Sequence, residues 1–312
     1  MYIGIDVGGT NLKAGLVDEA GTIVAVERTP LNFQGPEAFA KSLAELAEAV
    51  MAQGGVTKED VKNVGAGIPG AVLDGEILYT TNIPMEHVPL ADLFRRYLDL
   101  PLLLGNDADC AAVGEYFCGA GRGTKNFIIV TLGTGIGGGL ILNKKLYTGM
   151  GSGGEVGHLV THPGEDLCNC GRSGCWERYA SATGLIHLTK AAMAEHPESA
   201  LHTVAAENGA VEGRTAFQAA EMGDETALAV CRRYVEELAL GVIDLVNILQ
   251  PEAVALGGGV AAAPDRLLLE PLQDLVAREC FAHRGGKLTR IVRAELGNDA
   301  GIIGAAMLGR AI

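Results

Sequence analysis

The stretch YIGIDVGGTNLKAGLV, residues 2–17, alternates apolar with small or polar residues on both sides of a glycine-threonine turn. This alternation is typical of two antiparallel strands joined by a tight turn. A second stretch, NFIIVTLGTGIGGGLILN at residues 126–143, repeats the order of apolar strand, Gly/Thr turn and apolar strand. We therefore expect an antiparallel meander at the start of the chain and a similar hairpin later.

Helical and strand patterns alternate along the rest of the chain. Apolar residues recur at helical spacing in several segments, and Gly or Pro ends most of them. The expected helices cover residues 36–53, 176–194 and 224–249, one begins after Asp107, and two flank the strand LTRIVRAEL at 288–296. Residues 197–221 are weakly periodic and receive no assignment. The alternation predicts an α/β fold.

Composition and charge limit the class of protein. The chain has 312 residues, 48% of them hydrophobic, enough for one large domain or two ordinary ones. No apolar run approaches the roughly 20 residues that span a bilayer, and no secretory signal is recognisable, so a cytoplasmic protein without a membrane partner is expected. A net charge of −14 disfavours binding to a phosphate backbone, and no nucleic-acid partner is expected.

The two glycine turns have the composition of anion-binding turns. GTGIGG at 133–138 matches the dinucleotide fingerprint, but that fingerprint requires a helix directly after its glycines. The following GLILNKKLY is typical of a strand, and no P-loop G-K-[ST] is present. This turn and DVGGTN at 6–11 are either plain hairpin turns or sites where backbone N–H groups approach phosphate.

The segment GHLVTHPGEDLCNCGRSGCWE, residues 157–177, holds two histidines and three of the seven cysteines. A reducing compartment disfavours a disulfide, and the C-x-x-C pair of redox sites is absent. Three thiolates and one imidazole would complete a closed, structural zinc site, with reduced free thiols as the alternative. Both His158 and His162 are candidate ligands. The other cysteines are expected to be small core residues: Cys110, Cys118, Cys231 and Cys280.

Five motifs occur in the order found in the ROK family (repressors, open reading frames and sugar kinases). They are DVGGT at 6–10, GND at 105–107, LGTGIGGG at 132–139, EVGH at 155–158 and CNCGRSGCWE at 168–177. The chain resembles this family over essentially its whole length, and the cysteine segment is most similar to that of its bacterial glucokinases. The resemblance implies an actin-like ATPase (ribonuclease H-like) fold, with two α/β domains around a cleft that binds ATP and sugar. The smaller domain is expected over 1–108 plus 300–312, and the larger, with the cysteine segment, over 109–299.

The resemblance also implies a role for each matching residue. Asp107 would be the catalytic base. The sugar-binding residues would be Gly70, Asn106, Asp107, Glu155, His158 and Glu177. The ATP-binding residues would be Asp6, Gly8, Gly9, Thr10, Asn11, Lys13, Gly133, Thr134, Gly135, Gly137, Gly257, Gly258 and Gly259. The ligands of a structural Zn²⁺ would be His158, Cys168, Cys170 and Cys175, which leaves His162 as an exposed loop residue.

Phosphoryl transfer needs positioning, neutralisation of phosphate charge and a proton acceptor. Asp107 lies at a strand-to-helix junction, where the helix dipole stabilises an ionised carboxylate, although a plain N-cap is the alternative. Mg²⁺ would be held mainly by the phosphates, with Asp6 reaching it directly or through water. Lys13 either adds positive charge near the phosphates or is a solvated strand lysine.

The resemblance implies ATP-dependent phosphorylation of a hexose at its 6-hydroxyl, with glucose as the expected sugar. It also implies a homodimer. Glucokinases of the family usually carry a tryptophan shortly after the asparagine of TTNIPMEHVPL, residues 80–90, and this chain does not. Another hexose or N-acetylhexosamine, such as N-acetylmannosamine, allose or fructose, therefore stays open. A sugar-responsive ROK repressor is a further alternative, but it would need a helix-turn-helix before the first hairpin, which begins at Met1.

Overall fold

The structure is a computed structural model that describes residues 1–80 and 82–311. Thr81, in the stretch TTNIPMEHVPL, and Ile312, at the end of the expected smaller domain, lie outside the described residues. The strands are β1 Tyr2–Val7, β2 Asn11–Val17, β3 Ile23–Pro30, β4 Val64–Ile68, β5 Gly70–Leu73, β6 Glu76–Thr80, β7 Glu86–Val88, β8 Leu102–Asn106, β9 Phe127–Leu132, β10 Ile136–Leu142, β11 Lys145–Leu146, β12 Ala253–Gly257 and β13 Arg290–Arg293. The α-helices are α1 Pro36–Gly54, α2 Leu90–Arg95, α3 Asp107–Cys118, α4 Glu177–Ala180, α5 Ala182–Glu195, α6 Leu201–Asn208, α7 Thr215–Glu221, α8 Glu225–Leu249, α9 Leu269–Glu279 and α10 Ala300–Ala311.

The N-terminal meander is confirmed. Strands β1, β2 and β3 pair antiparallel, and they belong to a five-stranded sheet of order β3-β2-β1-β4-β8. Strand β4 pairs parallel with both β1 and β8. Parallel strands require a crossover, and α1 and α2 occupy the connections that lead into β4 and β8.

The parallel register brings the ends of three strands to one edge of this sheet. Asp6 of β1 lies opposite Gly67 of β4, which in turn lies opposite Gly105 of β8. Asp107 follows β8 directly as the first residue of α3. The carboxyl ends of parallel strands are where α/β sheets usually bind ligands, so this edge is the first place to look for a site.

Helix α10 packs against this sheet at unusually close range. A Cβ atom added at Gly4 of β1 would overlap the carbonyl of Ile302, and one at Gly65 of β4 would overlap the carbonyl of Ala305. The two glycines therefore let the helix backbone contact the strand backbones directly. As a result, the C-terminal helix is held against β4 and against β1, the strand in which the N-terminal motif begins.

The second expected hairpin is also confirmed. Strands β9 and β10 flank the 133–135 turn and belong to a five-stranded sheet of order β11-β10-β9-β12-β13. The glycines of this turn lead into strand β10, so the helix that a dinucleotide fingerprint requires is absent from this position. The long helix α8 begins after Asp224, whose carboxylate accepts a hydrogen bond from Ala227 N at 2.7 Å, as an N-cap does.

One expected element is wrong, and two stretches without an assignment contain regular structure. The single helix over 176–194 is wrong, because the chain is extended at Ser181, which ends α4 and caps α5 by accepting a hydrogen bond from Gly184 N at 3.2 Å. The unassigned stretch 197–221 contains α6 and α7. Strands β5, β6 and β7 form a small sheet of their own between Gly70 and Val88, where no element was assigned from the sequence.

The chain divides into two compact units. The first contains residues 1–129, 139–154 and 295–312, and the second contains residues 130–138 and 155–294. Helix α3 lies entirely in the first unit. The domain boundaries expected at 108/109 and 299/300 stay a prediction, because compactness does not test which segments fold together. No helix within residues 1–80 and 82–311 is both long and apolar enough to cross a bilayer.

Replacing Gly65 by Ala should destabilise the protein by at least about 2 kcal/mol, because the new methyl group overlaps backbone atoms of α10 that cannot rotate away. Gly9→Ala in the same unit is the matched control, since no atom lies within 4 Å of its added Cβ. Urea unfolding followed by circular dichroism measures both. Equal midpoints for the two variants would contradict the close packing of α10.

Candidate active site

The expected sugar-binding residues of the first unit lie together at the end of β8. Asn106 caps α3, with its Oδ1 accepting a hydrogen bond from Ala108 N at 2.8 Å. Its Nδ2 donates to the carbonyl of Gly70 at 3.0 Å. The alternative that Asp107 is merely the N-cap is wrong, since Asn106 has that position. Asn106 therefore joins the start of α3 to Gly70.

Asp107 combines access to solvent with a crowded environment. Its Oδ1 accepts a hydrogen bond from Ala108 N at 2.9 Å, yet the residue has exposed surface. Desolvation by the surrounding protein raises the pKa of Asp107 above its ordinary value, although backbone hydrogen bonds oppose part of this rise. A carboxylate that is reachable and more basic than usual suits proton abstraction.

Asp6 shares this environment and has a positive neighbour. Desolvation, followed by the charge of Asp107, raises the pKa of Asp6, whereas Lys13 lowers it. Asp6 and Lys13 lie opposite each other in the β1–β2 register. The Lys13 side chain is only 17% exposed, and its Nζ lies 2.8 Å from Oδ1 of Asp299. Lys13 is thus an ion-paired lysine rather than a freely solvated one.

The 8–10 turn keeps its backbone accessible. Gly8 N donates to the carbonyl of Asn11 at 3.0 Å, which closes the turn. Gly9, Thr10 and Asn11 are exposed, and the Asn11 amide donates to Thr10 Oγ1 at 3.0 Å. The turn thus presents two small or hydroxylated residues next to Asp6, as an anion-binding turn would.

The 133–135 turn in the second unit is fixed against the start of α5. Gly133 accepts a hydrogen bond from Ala182 N at 2.9 Å, and the carbonyl of Thr134 accepts one from Thr183 Oγ1 at 2.7 Å. A helix N-terminus is a favourable environment for an anion. Gly137 continues into β10. The structure thereby adds Thr183 to the surroundings of this turn.

The last of the three glycines at 257–259 borders a cavity in the second unit. Gly257 ends β12, and Gly258 has a φ of 81° with no room for a Cβ, which would lie 2.5 Å from the carbonyl of Leu132. A cavity of about 330 Å³ lies beside Gly259. Its wall includes Gly213, Arg214, Phe217, Gln218, Gly259 and Pro264. An aromatic ring with polar neighbours suits a planar, hydrogen-bonding ligand.

The four predicted zinc ligands form one cluster. The ligand atoms of His158, Cys168, Cys170 and Cys175 all lie within 4.8 Å of one another. The Cys170 and Cys175 sulfurs are 3.5 Å apart, and His158 Nδ1 lies 3.8 Å from Cys168 Sγ. Ligand atoms around a tetrahedral zinc with bonds of about 2.3 Å are about 3.8 Å apart. The donor set therefore fits Zn²⁺.

Glu177 links this cysteine and histidine cluster to the end of the 133–135 turn. Its Oε1 accepts a hydrogen bond from Cys168 Sγ at 3.1 Å and lies 3.9 Å from His158 Nδ1. Its Oε2 accepts one from Ile136 N at 3.4 Å. Glu155, the remaining expected sugar ligand of this unit, is exposed and immediately precedes the short 3-10 helix Val156–His158. His158 and Glu155 thus lie three residues apart on one turn.

His162 is not the exposed loop residue that was expected. Its side chain is 16% exposed, and its Nε2 lies 3.3 Å from Oε2 of the buried Glu237 of α8. Its ring stacks on Tyr179 with centroids 4.0 Å apart. The guanidinium of Arg233 also pairs with Glu237. His162 thus ties the cysteine segment to α8, a pairing that local sequence could not reveal.

Comparison with known proteins assigns the family. A model of the ROK family matches residues 2–312. The chain belongs to the ROK family. The glucokinase of Halalkalibacterium halodurans is 38% identical to it over 312 residues, which cover 98% of this chain and 94% of the relative. The N-acetylmannosamine kinase of Escherichia coli is 31% identical over 311 residues, covering 98% and 97%.

A solved structure of this ROK family extends the comparison to the fold. The crystal structure of a ROK family glucokinase from Streptomyces griseus in complex with glucose and AMPPNP is 35% identical, with a TM-score of 0.79 and coverage of 99% of both chains. The resemblance inferred from motifs is confirmed, and so is the predicted fold class, an actin-like ATPase fold with α/β units. The role of each site residue stays a prediction.

Zinc content tests the cysteine cluster independently of any activity. The purified protein should hold about one zinc per chain, and Cys175→Ser should remove nearly all of it, since three ligands bind zinc far more weakly than four. Cys280→Ser is the matched control, because Cys280 is equally buried but lies outside the cluster. Elemental analysis gives both values. Equal zinc content in the two variants would rule out the ligand set.

Proposed function

We propose that this ROK protein transfers the γ-phosphoryl group of ATP to the 6-hydroxyl of a hexose, with glucose as the preferred sugar. The similarity to bacterial glucokinases over nearly the whole chain supports this activity. The observation that carries the proposal is the pair of crowded carboxylates, Asp6 and Asp107, at the ends of β1 and β8, the two strands that flank β4, beside a glycine turn. In such a pair, one carboxylate can hold the Mg²⁺ that neutralises the phosphate charge, and the other can accept the proton of the sugar hydroxyl.

Asp107 is proposed to act as the base. Its raised pKa makes it a stronger proton acceptor than an ordinary aspartate. As the sugar oxygen bonds to the γ-phosphorus and ADP leaves, Asp107 accepts the hydroxyl proton. Asn106, which is held by Ala108 and Gly70, would keep Asp107 in a fixed orientation.

The nucleotide is proposed to bind through the glycine turns. Backbone N–H groups of the 8–10 and 133–135 turns would contact phosphate oxygens, with the N-terminus of α5 adding positive potential at the second turn. The cavity beside Gly259 would hold the adenine ring of ATP, with Phe217 as the aromatic contact. Mg²⁺ supplies charge neutralisation at the phosphates when bound, and the Asp6 carboxylate would hold it directly or through water.

The sugar hydroxyls are proposed to pair with the residues that the family resemblance assigns to them, namely Asn106, Asp107, Glu155, His158 and Glu177. These side chains mix donors and acceptors, as recognition of several hydroxyls requires. His158 turns Nδ1 toward Cys168, which leaves its Nε2 for a hydroxyl. A zinc ion held by His158 and the three cysteines would be structural, because four protein ligands leave no open position.

A second substrate class has one specific observation in its favour. The single tryptophan of the chain is Trp176, so the stretch 80–90 lacks the tryptophan usual in glucokinases of this family. The 31% identity to an N-acetylmannosamine kinase is compatible with the same alternative. N-acetylmannosamine, allose and fructose therefore belong in the substrate panel. A cytoplasmic location and a homodimer stay predictions.

Release of ADP in a coupled assay across these sugars decides the substrate. Glucose should give the highest kcat/KM, because every proposed hydroxyl contact is then satisfied, and the product should be the 6-phosphate. The phosphorylated carbon is identified by ³¹P–¹H correlation. Faster turnover of an N-acetylhexosamine would replace glucose as the substrate, and no turnover with any sugar would contradict the proposed function.

Replacing Asp107 by Asn should lower kcat by roughly 10²–10⁴-fold, the usual contribution of a general base. Sugar affinity, measured by calorimetry, should change little, because the amide keeps the size and most hydrogen bonds of the carboxylate. Asp99→Asn, an exposed aspartate of the same unit, is the control and should stay within about twofold. A kcat near wild type in the Asp107 variant would remove this residue from the role of base.

A further inference from the structure

We propose that Asp299 is a positioning residue, which holds the Lys13 ammonium beside Asp6 and the 8–10 turn, where that charge would meet the nucleotide phosphates. Asp299 lies in the 3-10 turn Gly297–Asp299 that leads into α10, far along the chain from the N-terminal motif. None of the family motifs quoted above includes it. The inference rests on the proposed kinase function and adds a residue to its phosphate site.

The contact itself is a short ion pair with unequal exposure. Lys13 Nζ lies 2.8 Å from Asp299 Oδ1, and the side chains are 17% and 51% exposed. Because Lys13 lies opposite Asp6 in the antiparallel register, the two side chains are on the same face of the sheet. The lysine thus has a carboxylate on either side, one on β1 and one before α10.

Asp299 is held in place from both directions along the chain. Before it, the fully buried carboxylate of Glu115 accepts hydrogen bonds from the backbone N–H groups of Ala120, Glu295 and Leu296 at 2.7–3.0 Å. After it, α10 is packed closely against β1 and β4. Because the segments on both sides of it are fixed, Asp299 can hold the Lys13 ammonium in position without a large entropic cost at each turnover.

The first turn of α10 also contacts Asp6. A Cβ at Gly301 would lie 3.4 Å from Asp6 Cγ, so Asp6 lies against the N-terminal end of this helix. The charged groups that act on Asp6 are Asp107, which raises its pKa, and Lys13, which lowers it. Without Asp299, the long lysine side chain would lose its anchor and spread over many rotamers. The phosphate contact of Lys13 would then weaken, and the pKa of Asp6 would rise further because the positive charge that lowers it has moved away.

If the ion pair between Lys13 and Asp299 were purely structural, its loss would leave kcat unchanged. A half-exposed ion pair contributes little to stability, so its loss should hardly change the thermal midpoint. A positioning role instead lowers turnover while the fold is unaffected. The nearby exposed pair of Glu295 and Arg122, 3.0 Å apart, is a matched control, because Glu295 shortly precedes Asp299 in the same segment and neither residue is among the proposed site residues.

The test compares Asp299→Asn, Lys13→Met, the double variant, Asp299→Glu and the control Glu295→Gln. Asp299→Asn and Lys13→Met should each lower kcat at least roughly tenfold, and the double variant should be no worse than the poorer single one. Asp299→Glu should recover part of the activity, and Glu295→Gln should stay within about twofold. Midpoints of all variants should agree within about 2 °C.

A second readout does not depend on activity. Acylation of Lys13 by an amine-reactive ester, followed by mass spectrometry, should be faster in Asp299→Asn than in the wild type, since the ion pair protects the amine. Asp299→Asn with kcat within twofold of wild type, or additive losses in the double variant, would overturn the inference. So would an unchanged Lys13 acylation rate in an active protein. An inactive wild-type protein would instead contradict the proposed function.

Discussion

The close contact of helix α10 with strands β1 and β4 is the constraint on which the first unit depends. Because Gly4 and Gly65 have no side chains, the C-terminal helix reaches both β4 and β1, the strand in which the DVGGT motif begins. Its first turn then lies against Asp6, and the residue just before it, Asp299, meets Lys13. One packing contact thus places residues from both ends of the chain around the same carboxylate.

In the second unit, the corresponding feature is a local cluster of metal-ligand side chains in the cysteine segment. The cysteine segment has little regular structure, and its ligand cluster connects His158 to three cysteines across a loop. At one end Glu177 contacts both Cys168 and the glycine turn. On another side, His162 meets the buried Glu237 of α8. A metal in this cluster would fix the loop where hydrophobic packing is sparse.

The sequence predicted features that depend on local order. Alternation and turn residues gave both hairpins, helical spacing gave α1 and α8, and the motif order gave the family. Features that depend on distant partners were missed. Asp299 and Lys13 are 286 residues apart, and neither has a local pattern that points to the other. Likewise, His162 looked exposed because its partner lies on α8, and the short strands β5–β7 carry too few residues for a periodic signal.

The central claim is that Asp6 and Asp107 form a crowded carboxylate pair in which one residue accepts a proton. The most direct measurement is a pH titration of their side-chain carbons by NMR in protein labelled with ¹³C-aspartate. Both carboxyls should titrate above the ordinary aspartate value of 3.8, and Asp107→Asn should lower the pKa of Asp6 by removing a like charge. Ordinary values for both, with no response of Asp6 to that substitution, would contradict the account.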